Sequence, residues 1–305
     1  MASATELFSS ARRAPRVDFL GIGAQKAGTT WLHRMLNAHP DIFMAQAEDK
    51  DLRFFGACYD YGYQWYESHF AAAGGAHRRG EFSTSYLYCR DAPARVRRYN
   101  PNMRLLVSLR DPVKRLISHH KHEIRLGRLA GDLSLERGIA NNPSYIEQSR
   151  YFSQLSRWLD HFPLTSFHIV IFEEVFAEPA RAIRDLYEFV GVTPSFLPAT
   201  LHEKINEGRI PRSRLLDDGV KLSTSALRAL GAGWIVDSFK KAGADRWVRA
   251  GNARADDALA LDEALTERLR NEFAAENAQL AALLGRDLAV WTGAAPQREP
   301  IRATA

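Results

Sequence analysis

The sequence predicts an α/β protein built on a parallel, doubly wound sheet, and three observations predict it. Short apolar runs alternate with helix-periodic stretches from residue 17 to residue 191. One run, Val17–Ile22, passes through a small Gly-bounded turn straight into a helical pattern. Another, Met103–Leu109, stops at Arg110-Asp111-Pro112, where Asp111 suits an N-cap and Pro112 the first helical position. Alternation of this kind gives parallel neighbours joined by right-handed crossovers, with ligands bound beyond the carboxyl ends of the strands.

The elements follow in order. Residues 17–22 read as a buried strand. Trp31, Leu32, Met35 and Leu36 then recur at helical spacing until His39-Pro40 ends the run. Residues 65–70 read as a short amphipathic helix. Gly80–Tyr86 reads as a strand entering a polar turn, and Ala92–Tyr99 as a basic helix ended by Asn100-Pro101. Met103–Leu109 is the clearest second core strand. In the helix after it, Val113, Leu116, Ile117, His120 and Ile124 form the apolar face, and Lys114, Arg115 and Ser118 share the other. Residues 127–142 read as a loop, 145–162 as one helix ended by Pro163, 167–172 as a third strand, and 180–190 as a helix closed by Gly191. A long last helix runs from Leu261 to Leu284.

Composition narrows the function. Of 305 residues, 46% are hydrophobic and 25% charged, which excludes a disordered chain. The expected organisation is a loose tail over 1–15, a single domain over 16–292 and a second loose tail over 293–305. The net charge of +5 is less telling than its distribution. Arg95–Arg128 holds ten Lys or Arg against two acids, Asp111 and Glu123. That patch suits a compact polyanion such as a multiply phosphorylated nucleotide rather than a nucleic acid. Two cysteines, Cys58 and Cys89, match no metal-ligand spacing and are expected as buried reduced thiols. No window approaches the roughly 20 apolar residues of a membrane span. With no apolar leader at the start, a cytoplasmic protein is expected.

The chemistry concentrates in Gly23-Ala24-Gln25-Lys26-Ala27-Gly28-Thr29-Thr30. A strand feeding a helix through such a turn brings backbone N–H groups and the helix's positive end to one point, an anion site. Gly23 and Gly28 are spaced as in a Walker A loop, but Thr29-Thr30 stands where that loop ends in Lys-Ser/Thr, and the lysine is Lys26. A P-loop kinase or NTPase is therefore the rival reading. It requires a magnesium-binding acid, for which Asp111 is the nearest candidate.

Three segments together resemble the nucleotide-dependent sulfotransferase family. Gln25-Lys26-Ala27-Gly28-Thr29-Thr30-Trp31-Leu32 resembles its 5′-phosphosulfate loop. Leu106–Ser118, through Arg110-Asp111-Pro112, resembles its 3′-phosphate motif. The pattern from Tyr151 through Gln154-Leu155, Arg157-Trp158-Leu159 and Ile169–Glu174 to Phe189-Val190-Gly191 is similar to its helix–strand–helix scaffold. The resemblance covers about residues 16–215 and implies a P-loop NTPase-like sulfotransferase fold. It also implies sulfuryl transfer from 3′-phosphoadenosine 5′-phosphosulfate to a hydroxyl or amine of a glycan or small molecule, with no metal. Gln25, Lys26, Ala27, Gly28, Thr29 and Thr30 would cradle the phosphosulfate, with Lys26 at the bridging oxygen. Arg110 and Ser118 would hold the 3′-phosphate, and Arg209 would close over the nucleotide.

Lys50-Asp51-Leu52-Arg53-Phe54-Phe55 and Gly80–Tyr86 resemble motifs of the heparan-type and bacterial branch. Asp51 stands where that branch places its glutamate base, and Phe82 and Ser85 stand where its second motif has Lys and Pro. Asp51 is the first candidate base. Glu81 is the second, or else supports Lys26 or orients the base. His33, His119, His120 and His122 lack the context of a histidine base.

Overall fold

The computed structural model describes residues 17–45, 51–130, 133–203 and 262–291. Lys50 and Arg209 lie outside the described residues, as do both expected tails. Five strands form one parallel sheet: β1 (Phe19–Gly23), β2 (Ile42–Met44), β3 (Arg78–Phe82), β4 (Arg104–Leu109) and β5 (Phe167–Ile171). Their order is β2-β3-β1-β4-β5. Around them the chain forms α1 (Thr29–Ala38), α2 (Gly62–Ser68), α3 (Ala92–Tyr99), α4 (Pro112–Arg125), α5 (Leu135–Asn141), α6 (Ser144–Glu147), α7 (Tyr151–Leu159), α8 (Phe172–Ala177), α9 (Pro179–Val190) and α10 (Glu263–Leu284). No helix among the described residues is long and apolar enough to cross a membrane.

β1 is central and pairs in parallel with β3 on one side and β4 on the other. After β1 the chain moves through α1 to the edge strand β2, and after β4 it moves the opposite way to β5. The crevice between the carboxyl ends of β1 and β4 is therefore the topological switch point.

The described residues fall into two compact units, divided at Arg115/Leu116, Glu147/Gln148 and Arg270/Asn271. In the first, both faces of the sheet are covered. Side chains alternate along a strand, so Leu105, Val107 and Leu109 join a core with Phe54, Phe55, Tyr66 and Trp158. Leu106 points the other way, into a core with Met35 and Leu36 of α1 and Leu186 and Tyr187 of α9. In the second unit, His120 is fully buried. Its Nε2 donates to the Leu133 carbonyl at 2.9 Å and its Nδ1 meets the Tyr145 hydroxyl at 3.2 Å. Burial lowers its pKa, so the ring is a neutral packing group.

Four expectations are corrected. The single helix over 145–162 is two, α6 and α7. Buried Ser149 sits at the break, where its Oγ accepts from Arg115 Nε at 2.6 Å and donates to the Pro112 carbonyl at 3.2 Å. Arg115 is thus fully buried and does not share a solvent face with Lys114. The stretch over 127–142 contains α5, capped by Ser134, whose Oγ accepts from the Arg137 N–H at 3.3 Å. Cys58 and Cys89 are free thiols but only half-buried.

Phe82 reaches its place because Gly21 lacks a side chain. A Cβ on Gly21 would lie 2.1 Å from the Phe82 ring. Gly21→Ala is expected to destabilise the protein by about 1–3 kcal/mol through overpacking. The measurement is the urea midpoint at constant m-value, and an unchanged midpoint contradicts the packing argument.

Candidate functional site

The loop after β1 is held by the end of β4. The Ala24 N–H donates to the Ser108 carbonyl at 2.8 Å, and the Ser108 hydroxyl donates to the Ala27 carbonyl at 2.5 Å. Two residues on, Arg110 Nη1 donates to the Lys26 carbonyl at 3.2 Å. Lys26 sits at φ 70° and Gly28 at φ 82°. The left-handed region is costly for a lysine and free for a glycine. Gly28 is doubly required, since a Cβ there would lie 2.6 Å from the Phe172 ring. Helix α1 starts immediately after it with no side-chain cap and no acid in its first turn. Its positive end is therefore not neutralised by an acid of its own first turn.

Arg110 lies with its guanidinium over the Phe172 ring, 4.6 Å from the centroid. Its Nε is buried with no hydrogen-bond partner among the described residues. Burial lowers the Arg110 pKa, while Glu173, Tyr151 and Asp111 oppose the shift. An arginine starts so high that it stays charged. The scaffold segment fixes this corner. The Tyr151 hydroxyl donates to the Arg110 carbonyl at 2.9 Å. Glu173 accepts from the Asp111 N–H at 3.2 Å with one oxygen and from Trp291 Nε1 at 3.1 Å with the other. The Asp111 carboxylate accepts from the Val113 and Lys114 N–H groups at 2.9 and 3.2 Å. Oδ1 takes both bonds and caps α4, as expected of an N-cap aspartate.

Asp51 and Glu81 have opposite environments. Asp51 is half-buried, and its oxygens accept from the Thr84 N–H at 3.3 Å and the Thr84 hydroxyl at 3.4 Å. Thr84 follows β3, and its carbonyl would lie 3.3 Å from a Cβ on Gly23. Asp51 is thereby placed on the carboxyl side of the sheet, beside the exit of β1. Glu81 is inside the protein, 1% exposed. The Ser83 and Tyr86 hydroxyls bond its two oxygens at 2.8 and 2.7 Å. Those same hydroxyls accept from the Arg53 and Phe55 N–H groups at 2.8 and 3.3 Å. Glu81 thus anchors the segment that carries Asp51. Burial pushes its pKa up to about 8 against the opposing bonds from Tyr86 and Ser83, and the Asp51 charge adds to the rise.

The structure therefore brings the Gln25–Thr30 loop, Arg110 and Asp51 to one edge of the sheet, and it places Glu81 behind that edge. Ser118 lies on α4 in the second unit, half-buried. Sequence reasoning missed Ser108, Thr84, Phe172 and Glu173, since each acts through a partner distant in the chain. No group of three or more metal-binding side chains occurs among the described residues.

A family model described as a sulfotransferase domain matches residues 16–207. Among curated proteins, human heparan sulfate glucosamine 3-O-sulfotransferase 6 is 30% identical over 189 residues, covering 59% of this chain and 53% of that protein. Mouse heparan sulfate glucosamine 3-O-sulfotransferase 3B1 is 30% identical over 197 residues, covering 62% and 49%. The chain thus spans about half the length of the curated relatives it matches. Among solved structures, a sulfotransferase from Alicyclobacillus acidocaldarius superposes with a TM-score of 0.66 at 24% identity, covering 91% of this chain and 99% of that one.

The raised Glu81 pKa predicts a pH dependence of stability. An unfolded glutamate, with an ordinary pKa of 4.5, loses its proton long before the folded one at about 8. Between those values the folded state binds the extra proton, so stability falls as pH rises through this window and levels off above it. In Glu81→Gln that slope, on the order of a few kcal/mol in total, is expected to vanish. Urea unfolding of both proteins from pH 5 to 9 measures it, and parallel curves contradict the assignment.

Proposed function

The chain belongs to the sulfotransferase domain family, and from that premise we propose that it moves a sulfuryl group from 3′-phosphoadenosine 5′-phosphosulfate to an acceptor hydroxyl. The observation that carries the reading is the meeting of the Lys26 loop with Arg110 at the switch point, Arg110 Nε being buried without a partner among the described residues. A buried guanidinium with an unused donor, beside an uncapped helix start, fits a ligand with two separated anionic groups.

The donor supplies the sulfuryl group: a bond forms from the acceptor oxygen to sulfur as the bond from sulfur to the bridging oxygen breaks. Gly28, Thr29 and Thr30 offer N–H and hydroxyl donors to the 5′-phosphosulfate. Lys26 meets the charge that builds on the bridging oxygen, a role needed most in the transition state. Arg110 takes the 3′-phosphate. Asp51 accepts the acceptor's proton, since it is half exposed at a strand end whereas Glu81 does not reach the surface. The Thr84 bonds hold the Asp51 carboxylate in place for that task. A saccharide acceptor is the reading supported by relatives that act on heparan sulfate glucosamine.

Labelled-sulfate transfer to a panel of glucosamine-containing saccharides and simple phenols tests the proposal. Transfer is expected to survive chelation of divalent cations. Lys26→Ala is expected to lower kcat by about 10²-fold or more while adenosine 3′,5′-bisphosphate still binds. Asp51→Asn is expected to lower kcat by about 10²–10⁴-fold, the range for a general base. Undiminished transfer by Lys26→Ala would sink the mechanism.

A further inference from the structure

We propose that Ser108 is a positioning residue that aims the Gly28 N–H at the donor's phosphosulfate group, an inference that rests on the sulfuryl-transfer reading. The argument starts from the peptide plane. In a trans peptide the C=O of one residue and the N–H of the next point in opposite directions. The Ser108 hydroxyl holds the Ala27 carbonyl at 2.5 Å, so the Gly28 N–H is turned away from β4. No acceptor takes that N–H among the described residues. It stands at the entrance to α1, where the first-turn N–H groups and the helix's positive end already favour an anion.

Ser108 is suited to this and to little else. It is 2% exposed and sits on the same strand face as Leu106, two positions earlier, the face toward α1. A hydroxyl there is not needed for sheet pairing, which uses only the backbone. Register requires only that residue 108 pair with Val170 of β5, and any apolar residue does that. What the hydroxyl adds is control of one peptide plane, which an apolar residue of the same size lacks. Its own carbonyl fixes the other end of the loop through the Ala24 N–H at 2.8 Å. Loop entry and loop exit are thus referenced to one residue of β4, and Arg110 draws the Lys26 carbonyl the same way at 3.2 Å. Were the Ala27 carbonyl released, the Ala27–Gly28 peptide could rotate and present an oxygen, not a hydrogen, to the incoming anion. Gly28, free of side-chain restriction at φ 82°, offers little resistance to that rotation by itself.

The test compares Ser108→Ala, Ser108→Thr and Ser108→Val with the wild type. Thr and Val have the same shape and differ only in the hydroxyl. The readouts are kcat and KM for the sulfonucleotide, affinity for adenosine 3′,5′-bisphosphate by titration calorimetry, and the unfolding midpoint. Ser108→Ala is expected to lose at least about tenfold in kcat per folded molecule, part of what deletion of a transition-state donor costs. Ser108→Thr is expected to retain at least about tenfold more activity than Ser108→Val, since only Thr can hold the carbonyl. Wild-type kcat in Ser108→Ala, or equal turnover in Thr and Val, overturns the inference. A lowered unfolding midpoint with unchanged kcat shows a merely structural serine and also overturns it. If the added methyl unfolds both Thr and Val variants, the Ala variant alone decides. If the wild type transfers no sulfuryl group, the functional reading has failed. The Ser108 inference is then decided by nucleotide affinity, with Thr and Val equal overturning it and Thr tighter supporting it.

Discussion

The structure depends on the junction between β1 and β4. Two adjacent parallel strands lead their chains in opposite directions there, and the gap they leave is closed by the backbone of one loop held on the other strand's end. The Ala24 N–H and the Ala27 carbonyl both meet Ser108, and the Lys26 carbonyl meets Arg110. Without those three bonds the Gln25–Gly28 turn would be an ordinary mobile connection between a strand and a helix. With them its N–H groups have fixed directions before any ligand arrives. Donors that need no reorganisation at the moment of reaction are the ones that contribute most to stabilising developing charge.

The same junction is braced by residues of the distant third segment and by Trp291. Tyr151, Glu173 and Trp291 act at the strand end that grips the loop. They fix the Arg110–Asp111 corner, through the Arg110 carbonyl and the Asp111 N–H. Phe172 does two things: its ring lies under the Arg110 guanidinium and against Gly28. Arg110 and Gly28, which contact the ligand in the proposed reading, are therefore set by one aromatic side chain from the start of α8. A larger residue at position 28 would displace that ring and with it the guanidinium.

What the sequence made legible was what is local. Strand, Gly-bounded loop and helix follow one another within sixteen residues, and Asp111-Pro112 marks a helix start by its own backbone chemistry. The rest needed the fold. β2 has three residues, too few to show a period, and is defined by pairing with β3. The break between α6 and α7 lies in an apolar pattern that reads as continuous, and it exists because Ser149 is bonded to Arg115 and Pro112. Ser108 reads as a polar interruption of a core strand until the loop it grips is seen. For the two acids, spacing alone left open which one is buried, because burial is not encoded in the motif. Glu81 lies at the end of a strand covered on both faces, whereas Asp51 is held at its rim by Thr84.

The position of the lysine is the last point. In a Walker A loop the lysine begins the helix, where its backbone is regular and its side chain reaches back along the phosphates. Here the residue that begins the helix is Thr29, and the lysine sits three residues earlier at φ 70°. A non-glycine residue in that region costs on the order of 1–3 kcal/mol, and it persists only where its surroundings over-determine it. The surroundings do so here: Arg110 takes the Lys26 carbonyl, the Ala27 N–H turns back to the Ala24 carbonyl at 3.3 Å, and Ser108 takes the Ala27 carbonyl. Three bonds around the lysine hold its backbone within the turn, ahead of the helix and not in its first turn. In the proposed mechanism this lysine meets the charge that builds on the bridging oxygen, and the backbone that carries it is set by β4 and not by the first turn of the helix.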